Sequence, residues 1–351
     1  MSKKIIGIGH AIVDISCQVD DEFLKKNNLV KGSMTLIDND LFHKLSQLKI
    51  SKISSGGSVG NSIATMASLN ANCEFFGVVG DDEFGKMFIN DLEKTSTKFI
   101  GIVEKNKSSA TCFILITADG ERTMCTYLGC ASNIAEEFIA KIDFSSAKLL
   151  YLEGYLWDGN TTSNSLKLAI KNAKQNDCQI AFSLSDAFCV ERHRDDFINL
   201  IKNDLDILFA NDNEYLALSH DQKFDLKLAN DFIKNISSEN KKLLTIITRG
   251  DKGCCVFNNI FNNYQFPSNK VKKIIDTTGA GDNFASGWLL GFEDYRQKSA
   301  NNNLPRDENS NRLIIEKSAY LANFLAGKII QKIGARFDQQ EINEIKKTIN
   351  L

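Results

Sequence analysis

The chain has little proline and no long apolar run. Two of its 351 residues are proline, there is no low-complexity linker or repeat, and no apolar segment reaches the length of a transmembrane helix. Positive and negative side chains nearly balance, and the net charge of -2 gives no general attraction to nucleic acid or to an anionic membrane. The length suits one large α/β domain with an appendage, or two ordinary domains. We therefore expect neither nucleic acid nor a membrane as a partner.

The cysteines form no recognisable disulfide pattern. There are nine, and they stand singly in the sequence apart from Cys254 and Cys255. No Cys-x-x-Cys occurs, which argues against zinc and a disulfide framework and favours a reducing cytosol. The amino terminus has basic residues but only a short apolar run broken by glycines, so residues 4–9 are predicted to be a first β-strand rather than part of a signal peptide. We expect a cytoplasmic location.

The stretch with most chemical information is residues 276–288, DTTGAGDNFASGW. A polar entry, two glycines separated by an alanine, and an acid precede apolar residues at helical spacing, which predicts a loop that feeds directly into a helix. Glycines let several backbone N–H groups point into one concavity, and the unpaired amides of a first helical turn suit a phosphate. A carboxylate repels phosphate, so Asp282 makes sense there as the base that takes a proton from an attacking hydroxyl. Helix capping would explain Asp282 alone, but not the paired glycines.

Other polar clusters follow predicted strands. Asp14 lies just past the first strand, at the end where open α/β sheets place their ligands. A second glycine-rich junction, SSGGSVGN at residues 54–61, leads into an apolar helix. Residues 211–214, NDNE, could bind a ligand or simply form a capping box at a helix start, and both interpretations can hold. Residues 248–253, TRGDKG, follow a buried strand rich in β-formers.

Two regions break the regular alternation of strands and helices. Residues 15–37 and 109–128 contain short segments in which apolar and polar residues alternate, as in half-exposed strands. We assign them to a small sheet projecting from the core, with Arg122 at a hairpin tip, where an arginine is ordinarily a solvated charge. The polar, Asn-rich residues 293–311 are predicted to be a surface loop.

Taken together, these segments resemble the ribokinase/adenosine kinase family, also called PfkB carbohydrate kinases. Residues 276–282 resemble its C-terminal signature, and residues 56–85 resemble its N-terminal signature of Gly-Gly-x-x-x-Asn, helix, strand and Gly-x-Asp-x-x-Gly. The match spans Gly7 to Phe337, where Gly-Ala-Arg resembles the family's ending, and is most like bacterial adenosine kinase-like members.

The resemblance implies a ribokinase-like three-layer α/β/α core with a mainly parallel central sheet, plus a small β-sheet lid that excludes water. The core would comprise residues 1–14, 38–108 and 129–351, and the lid residues 15–37 and 109–128. An exposed lid edge allows a monomer or a homodimer paired through the lid.

The resemblance also implies roles for individual residues. The catalytic set would be the base Asp282, the amide donors Gly279, Ala280 and Gly281, and Arg122 over the transferring phosphate. The acceptor would contact Asp14, Gly56, Gly57 and Asn61. The nucleotide would contact Asn211, Glu214, Thr248, Gly250, Gly253 and Thr278, with Glu214 holding Mg²⁺ through water. The implied cofactors are ATP and Mg²⁺, and family analogy allows a monovalent cation at the Asp276 loop.

The acceptor remains open between two classes of small molecule. We favour a kinase acting on the primary (5′) hydroxyl of a nucleoside, above all adenosine. Apolar side chains of the lid could form the floor of a pocket for the nucleobase: Ile15, Leu36, Phe113 and Leu115. These side chains could instead pack the lid on itself, and a ribokinase- or fructokinase-like sugar kinase is the alternative. A non-catalytic regulatory protein on a kinase fold is the different-class alternative. P-loop kinases are excluded because Gly-x-x-x-x-Gly-Lys-[Ser/Thr] is absent.

One residue departs from the family pattern beside the predicted base. Asn283 stands where a small or apolar residue is usual, and we expect it to alter how the helix begins.

Overall fold

The computed structural model describes residues 3–159, 162–259, 263–301 and 308–349. In chain order its strands are β1 (Lys4–Ile8), β2 (Ile12–Gln18), β3 (Met34–Leu36), β4 (Ile50–Ser55), β5 (Cys73–Phe76), β6 (Val78–Gly80), β7 (Lys98–Phe99), β8 (Ile102–Glu104), β9 (Ala110–Ile116), β10 (Arg122–Tyr127), β11 (Ala147–Glu153), β12 (Gln179–Ser183), β13 (Ile207–Asn211), β14 (Leu244–Thr248), β15 (Cys254–Phe257) and β16 (Tyr264–Phe266). Its helices are α1 (Asp21–Lys26), α2 (Asn39–Leu45), α3 (Ser58–Ser68), α4 (Glu83–Glu93), α5 (Glu136–Ile139), α6 (Thr162–Gln175), α7 (Ala187–Asn203), α8 (Asp212–Ser219), α9 (Leu226–Ile236), α10 (Ala280–Asn301), α11 (Glu308–Ile329) and α12 (Gln339–Ile349).

The centre of the molecule is a nine-stranded sheet. Its order is β16-β15-β14-β13-β12-β11-β1-β5-β7, and the strands from β14 to β7 pair in parallel, while β15 and β16 pair antiparallel at one end. Parallel strands joined through helices are covered on both faces, which is why β1 is apolar from Ile5 to Ile8 and is buried throughout. The predicted mainly parallel central sheet is confirmed.

Helices cover both faces of this sheet, so the core has three layers. Ile6 and Ile8 of β1 belong to the apolar cluster that contains residues of α6 and α7. Ile5, whose side chain alternates to the other face, belongs to the cluster formed with α3, α10 and α11. The predicted α/β/α arrangement is therefore confirmed.

A separate five-stranded sheet projects beside the core. Its order is β3-β10-β9-β2-β4. It contains strands from both predicted lid regions, and it also contains β4, which we had placed in the core range 38–108. The sequence of β4, ISKISS, carries a weak apolar signal because most of this edge strand is exposed.

One face of the small sheet is packed by its own helices. Ile15, Phe113 and Leu115 are at most 2% exposed and cluster with Leu24 of α1 and Leu45 of α2. Our expectation that these three side chains floor a base is therefore wrong, and the alternative that they pack the lid on itself is correct. Leu36, the fourth residue of that expectation, is 43% exposed.

Two local predictions also differ from the structure. The strand expected within the 56–85 signature is interrupted at Gly77 and forms β5 and β6, which belong to different sheets. Most of the polar segment 293–311 is helical, because α10 continues to Asn301 and α11 begins at Glu308; residues 302–307 of that prediction lie outside the described part. Its Glu, Arg, Gln and Lys residues are good helix formers despite their polarity.

Candidate active site

The predicted ligand-binding residues converge on one edge of the large sheet. β1, β11, β13 and β14 run parallel, so their carboxyl ends lie together. Asn211 at the end of β13 pairs with Thr248 at the end of β14. Three strand spacings, about 14 Å, separate β13 from β1, on whose side the acceptor residues lie. The residues predicted for the nucleotide and those predicted for the acceptor therefore lie at two different parts of this edge.

Gly279 directly precedes α10, whose first residues are Ala280 and Gly281. Gly279 has φ +75°, and a Cβ there would come within 2.6 Å of the Ala335 Cβ, so only glycine fits. A Cβ on Gly281 would meet nothing within 4 Å, which places that residue against open space. The amide of Ala280 donates to Thr277 O at 3.1 Å and is thus already used within the turn. The open approach at Gly281 suits an anion at the helix N-terminus.

Asp282, in the first turn of α10, is held by two side chains of α3. Its Oδ1 accepts from Ser58 Oγ at 2.7 Å, and its Oδ2 accepts from Asn61 Nδ2 at 2.9 Å. Burial raises the pKa of the Asp282 carboxyl to about 6, while these hydrogen bonds and the charge of Arg336 limit the rise. Such a carboxyl is ionised at neutral pH and binds a proton better than an ordinary aspartate, which suits a general base.

The other predicted acceptor residues surround the same point. Gly57 caps α3 with φ +80°, and a Cβ there would lie 2.4 Å from His10 O. A Cβ on Gly56 would lie 2.4 Å from Asp14 Oδ2, so this backbone lies directly against the Asp14 carboxyl. Burial raises the pKa of Asp14 to about 7, opposed by Arg336 and reinforced by Asp282. The structure thus brings Asp14, Gly56, Gly57 and Asn61 together beside Asp282.

Arg122 reaches from the small sheet to the core. Its Nη1 donates to Thr278 Oγ1 and pairs with Asp276 Oδ1, each at 2.6 Å. Although burial opposes it, hydrogen bonds from Gly334 and Thr278 and the charge of Arg122 hold the pKa of Asp276 below its usual range. This arginine is therefore neither a fully solvated charge nor unpaired: it ties the small sheet to the loop that precedes α10.

The residues predicted for the nucleotide have clear structural roles of their own. Asn211 and Glu214 form a capping box at the start of α8. Gly250 has φ +56° with open space around its Cβ position, whereas a Cβ on Gly253 would lie 1.9 Å from Phe266 O. Gly253 is therefore required by packing against β16, and Gly250 is the residue that leaves room for a phosphate.

Carboxylates near Glu214 provide the donor set that Mg²⁺ prefers. Glu214 is 5% exposed, and burial raises its pKa to about 7, with Asp186 and Asp212 reinforcing the rise. Hard oxygen donors of this kind suit Mg²⁺ held partly through water and phosphate. Both Glu214 oxygens accept hydrogen bonds from Asn211, so a water-mediated contact fits better than direct coordination.

A second group of potential ligands is already paired. Asp158, Cys189 and His193 offer atoms within 4.8 Å of one another. Asp158 accepts from Arg192 through both oxygens and lies 2.7 Å from His193 Nε2, while burial raises the pKa of the Cys189 thiol far above its usual range. These contacts account for the cluster without a metal.

Three further residues support the site and were not singled out for it from the sequence. Glu153, at the end of β11, accepts the backbone N–H groups of His10 and Val59 and so joins the first loop to α3. Asn283 is buried and donates to Gly279 O and Ala335 O, both at 2.9 Å.

Arg336 is the third of these residues. It donates to Asn61 Oδ1 at 3.0 Å and to Gly56 O at 3.1 Å. The resemblance of residues 334–337 to a family ending was the signal for Arg336, the departure from the family pattern was the signal for Asn283, and no local pattern marks Glu153.

An acid among helix-end amides, beside groups that can hold a hydroxyl, is the arrangement of a phosphotransferase acting on an alcohol. A family model described as pfkB family carbohydrate kinase matches residues 25–342. The chain belongs to this family and is a kinase that phosphorylates a hydroxyl group.

Solved structures and curated relatives agree with this assignment. The chain is 31% identical to the adenosine kinase of Sinorhizobium meliloti, with a TM-score of 0.84 and coverage of 99% of this chain and 100% of that one. A probable sugar kinase from Rhizobium etli is 30% identical, with a TM-score of 0.83 and coverage of 100% and 99%. The adenosine kinase of Saccharomyces cerevisiae is 24% identical over 99% of this chain and all of its own length. The predicted ribokinase-like fold is confirmed.

Among the described residues, each helix is too short or too polar to span a bilayer.

Proposed function

We propose that the protein is an ATP-dependent nucleoside kinase that phosphorylates the primary 5′ hydroxyl, with adenosine as the preferred acceptor. The single observation that supports the proposal is the contact of Asp282 with Ser58 and Asn61, because Asn61 is a residue that the family resemblance assigns to the acceptor.

In this mechanism Asp14 and Asn61 hold the acceptor's ring hydroxyls, and the backbone at Gly57 lets the acceptor approach closely. The primary hydroxyl then lies between Asp282 and the γ-phosphate of ATP. Asp282 takes the hydroxyl proton as the new O–P bond forms and the bond to the β-phosphate oxygen breaks. The backbone amides of Gly279, Gly281 and Asp282, at the start of α10, stabilise the charge on the transferring group. Positioning dominates, because phosphoryl transfer needs little covalent help.

Arg122 has to exchange partners during this reaction. In the structure it is bound to Asp276 and Thr278, just before Gly279 and the start of α10. A guanidinium this close to the anion site can move from a carboxylate to a phosphate without crossing the cleft. The contact with Asp276 is thus a resting position of the arginine beside the site where it acts.

The nucleotide would lie along the ends of β13 and β14. Thr248 and Gly250 would line its phosphates, and Asn211 and Glu214 would hold Mg²⁺ through water. The ion would neutralise charge on the phosphates. Gly253 keeps its packing role, and Thr278 contributes its hydroxyl once Arg122 has moved. A monovalent cation at the Asp276 loop remains a family-based expectation.

A nucleoside is favoured over a free sugar by the face of the small sheet that carries Asp14. Ser16 is on that face, two residues along β2, and pairs with Ile114, which pairs in turn with Met124. Met124 is 37% exposed and Leu36, two positions away on the same face, is 43% exposed. These side chains offer a base the apolar surface that a free ribose or fructose would leave in water. The adenosine kinase relatives support this choice, and the Rhizobium etli relative supports the sugar alternative.

The remaining proposals concern location and assembly. All nine cysteines are free and buried, which fits a reducing compartment, and we place the protein in the cytoplasm. β3 and β4 are the edges of the small sheet, so a homodimer would pair there, and otherwise the chain is a monomer.

The test measures acceptor-dependent ADP release with ATP, Mg²⁺ and one acceptor at a time: adenosine, inosine, guanosine, ribose or fructose. We expect the highest kcat/KM with adenosine. Ribose or fructose exceeding every nucleoside would replace the proposal with the sugar kinase. Binding of nucleotide with no phosphorylation of any acceptor would favour the regulatory, non-catalytic alternative.

A further inference from the structure

Arg336 lies in the segment between α11 and α12, which is held against the α10 loop. The Gly334 amide donates to Asp276 Oδ2 at 2.8 Å, and Ala335 O accepts from Asn283 Nδ2 at 2.9 Å. The backbone on the N-terminal side of Arg336 is therefore anchored to Asp276 and to Asn283, which lie on either side of Gly279–Asp282. A side chain anchored in this way can position other groups.

The guanidinium of Arg336 connects two parts of the acceptor site. Its Nε donates to Asn61 Oδ1 at 3.0 Å, and its Nη2 donates to Gly56 O at 3.1 Å. Gly56 lies against the Asp14 carboxyl, and Asn61 in turn donates to Asp282 at 2.9 Å. A continuous chain of hydrogen bonds therefore runs from Arg336 through Asn61 to Asp282.

The chemistry of these three groups permits only one orientation of the Asn61 amide. Arginine has donors only, so it must face the amide oxygen. An ionised Asp282 has acceptors only, so it must face the amide nitrogen. Arg336 and Asp282 therefore hold the same orientation of the amide from its two ends, and without Arg336 the amide would be held only from the carboxylate end.

The positive charge of Arg336 also acts on the carboxyl groups of the site. Arg336 faces three carboxyl groups, Asp14 on β2, Asp91 on α4 and Asp282 on α10. It lowers the pKa of both Asp14 and Asp282 against the effect of burial. The other titratable groups that interact with Asp282 are Tyr151 and Glu153 on β11 and Glu214 on α8.

We propose that Arg336 is a positioning residue of the catalytic centre, which fixes the Asn61 amide with its nitrogen toward Asp282 and, through the Gly56 carbonyl, holds the Gly56 backbone whose Cα side lies against Asp14. The inference rests on the proposed function only in naming Asp282 as the base, since the contacts themselves are independent of it.

The first experiment reads Asp282 without any substrate. The full chain, labelled with ¹³C at the aspartate carboxyl carbons, is titrated by NMR, and the Asp282 resonance is assigned by its loss in Asp282→Asn. Arg336→Met is expected to raise the Asp282 pKa by roughly one pH unit, because a buried carboxylate loses a nearby cation. Arg336→Lys is expected to recover most of the shift, because it keeps the charge. An unchanged Asp282 pKa in a folded Arg336→Met protein would overturn the proposal.

The second experiment measures kcat against pH for the acceptor with the highest turnover. Arg336→Met should lower kcat about 10- to 100-fold at neutral pH and move its acidic limb upward, so that the deficit shrinks as pH rises. Arg336→Lys should restore the position of the acidic limb of the kcat profile but only part of kcat itself. A single ammonium does not reproduce the planar guanidinium that donates to two groups at once.

A double variant tests the route through Asn61. Arg336→Met added to Asn61→Ala should cost much less than Arg336→Met in the wild type, whereas fully additive losses would contradict action through Asn61. Should the wild type transfer phosphate to no acceptor, the proposed function fails, and the NMR titration still decides the role of Arg336.

Discussion

Replacing Asp282 by Asn tests the central assignment with little change of shape. The new amide oxygen can accept from Asn61, and the new amide nitrogen can donate to the Ser58 hydroxyl, which rotates freely. The two contacts that hold the side chain are therefore kept, and only the capacity to take a proton is lost. The variant separates catalysis from architecture.

The expected loss is large in kcat and small in binding. A general base contributes about 10²- to 10⁴-fold, which corresponds to roughly 3–5 kcal/mol of activation free energy. Acceptor affinity should stay within a few-fold, because Asp14, Gly57 and Asn61 are unaffected. ADP release gives kcat, and calorimetric titration with the acceptor gives the dissociation constant.

The same substitution should change stability in a pH-dependent way. Burial raises the pKa of Asp282 from 3.8 to about 6, so the ionised carboxyl opposes folding. This cost begins as pH rises past the unfolded value and is complete above the folded one. Asp282→Asn should therefore stabilise the protein at pH 8, by at most about 3 kcal/mol because the side chain is partly solvated, and leave it unchanged at pH 3.5.

Asp225→Asn is the matched control for this experiment. Asp225 caps α9 through the amides of Lys227 and Leu228, which is the structural role that Asp282 would have if it only started α10. We expect Asp225→Asn to leave kcat unchanged. Equal kcat values for the Asp282 and Asp225 variants, both close to wild type, would refute the assignment of Asp282 as the base.

Three further substitutions test other parts of the site. Gly57→Ala should destabilise the fold by about 3 kcal/mol or more and abolish turnover, because it adds a left-handed φ penalty to a clash with His10 O at 2.4 Å. Arg122→Gln should lower kcat about 10²-fold or more with little change in acceptor KM, since the arginine is asked to act on the transferring phosphate after leaving Asp276. Met124→Ser should lower kcat/KM for adenosine about tenfold and leave ribose within twofold, because only a base uses that apolar surface. Thermal unfolding and ADP release measure all three.

Gly120 provides the matched control for Gly57. Gly120 also has a positive φ, of +84°, but open space around it, so Gly120→Ala shows the backbone penalty without the clash. Equal destabilisation at both glycines would contradict the argument for Gly57. A folded Arg122→Gln enzyme with normal kcat would leave Arg122 as a structural tie alone. Equal losses with adenosine and ribose in Met124→Ser would remove that residue from base recognition.

Much of the core was predictable because local signals and tertiary structure agree. The buried parallel strands are continuous apolar runs, and the glycine-rich junctions at residues 54–61 and 276–288 combine a backbone requirement with a polar group. β4 was placed in the wrong sheet because an exposed edge strand has few apolar residues. Ile15 and Ile114 show why the two faces of the small sheet could not be assigned from the sequence. Alternation identified the strands, but nothing in the sequence said which face of that sheet the helices α1 and α2 cover.

The candidate site was predictable only where a motif marks it. Asp282 and Asn61 lie in such motifs, and the structure brings them within 2.9 Å. Arg336 and Asn283 act through buried hydrogen bonds to distant segments, and a polar residue in a helix or loop gives no sign of its partner. Glu153 was not predicted, because its two backbone partners, His10 and Val59, come from different elements.

The route of the hydrogen bonds has a consequence for how the protein is made. Asn61 is bonded to Arg336, 275 positions further along the chain, so a nascent polypeptide that already contains every glycine-rich junction still lacks the contact that completes them. The earlier segments therefore keep these polar groups in water until residue 336 has been synthesised. We expect changes in the segment around Arg336 to disturb the centre more than equal changes at the far tip of the small sheet.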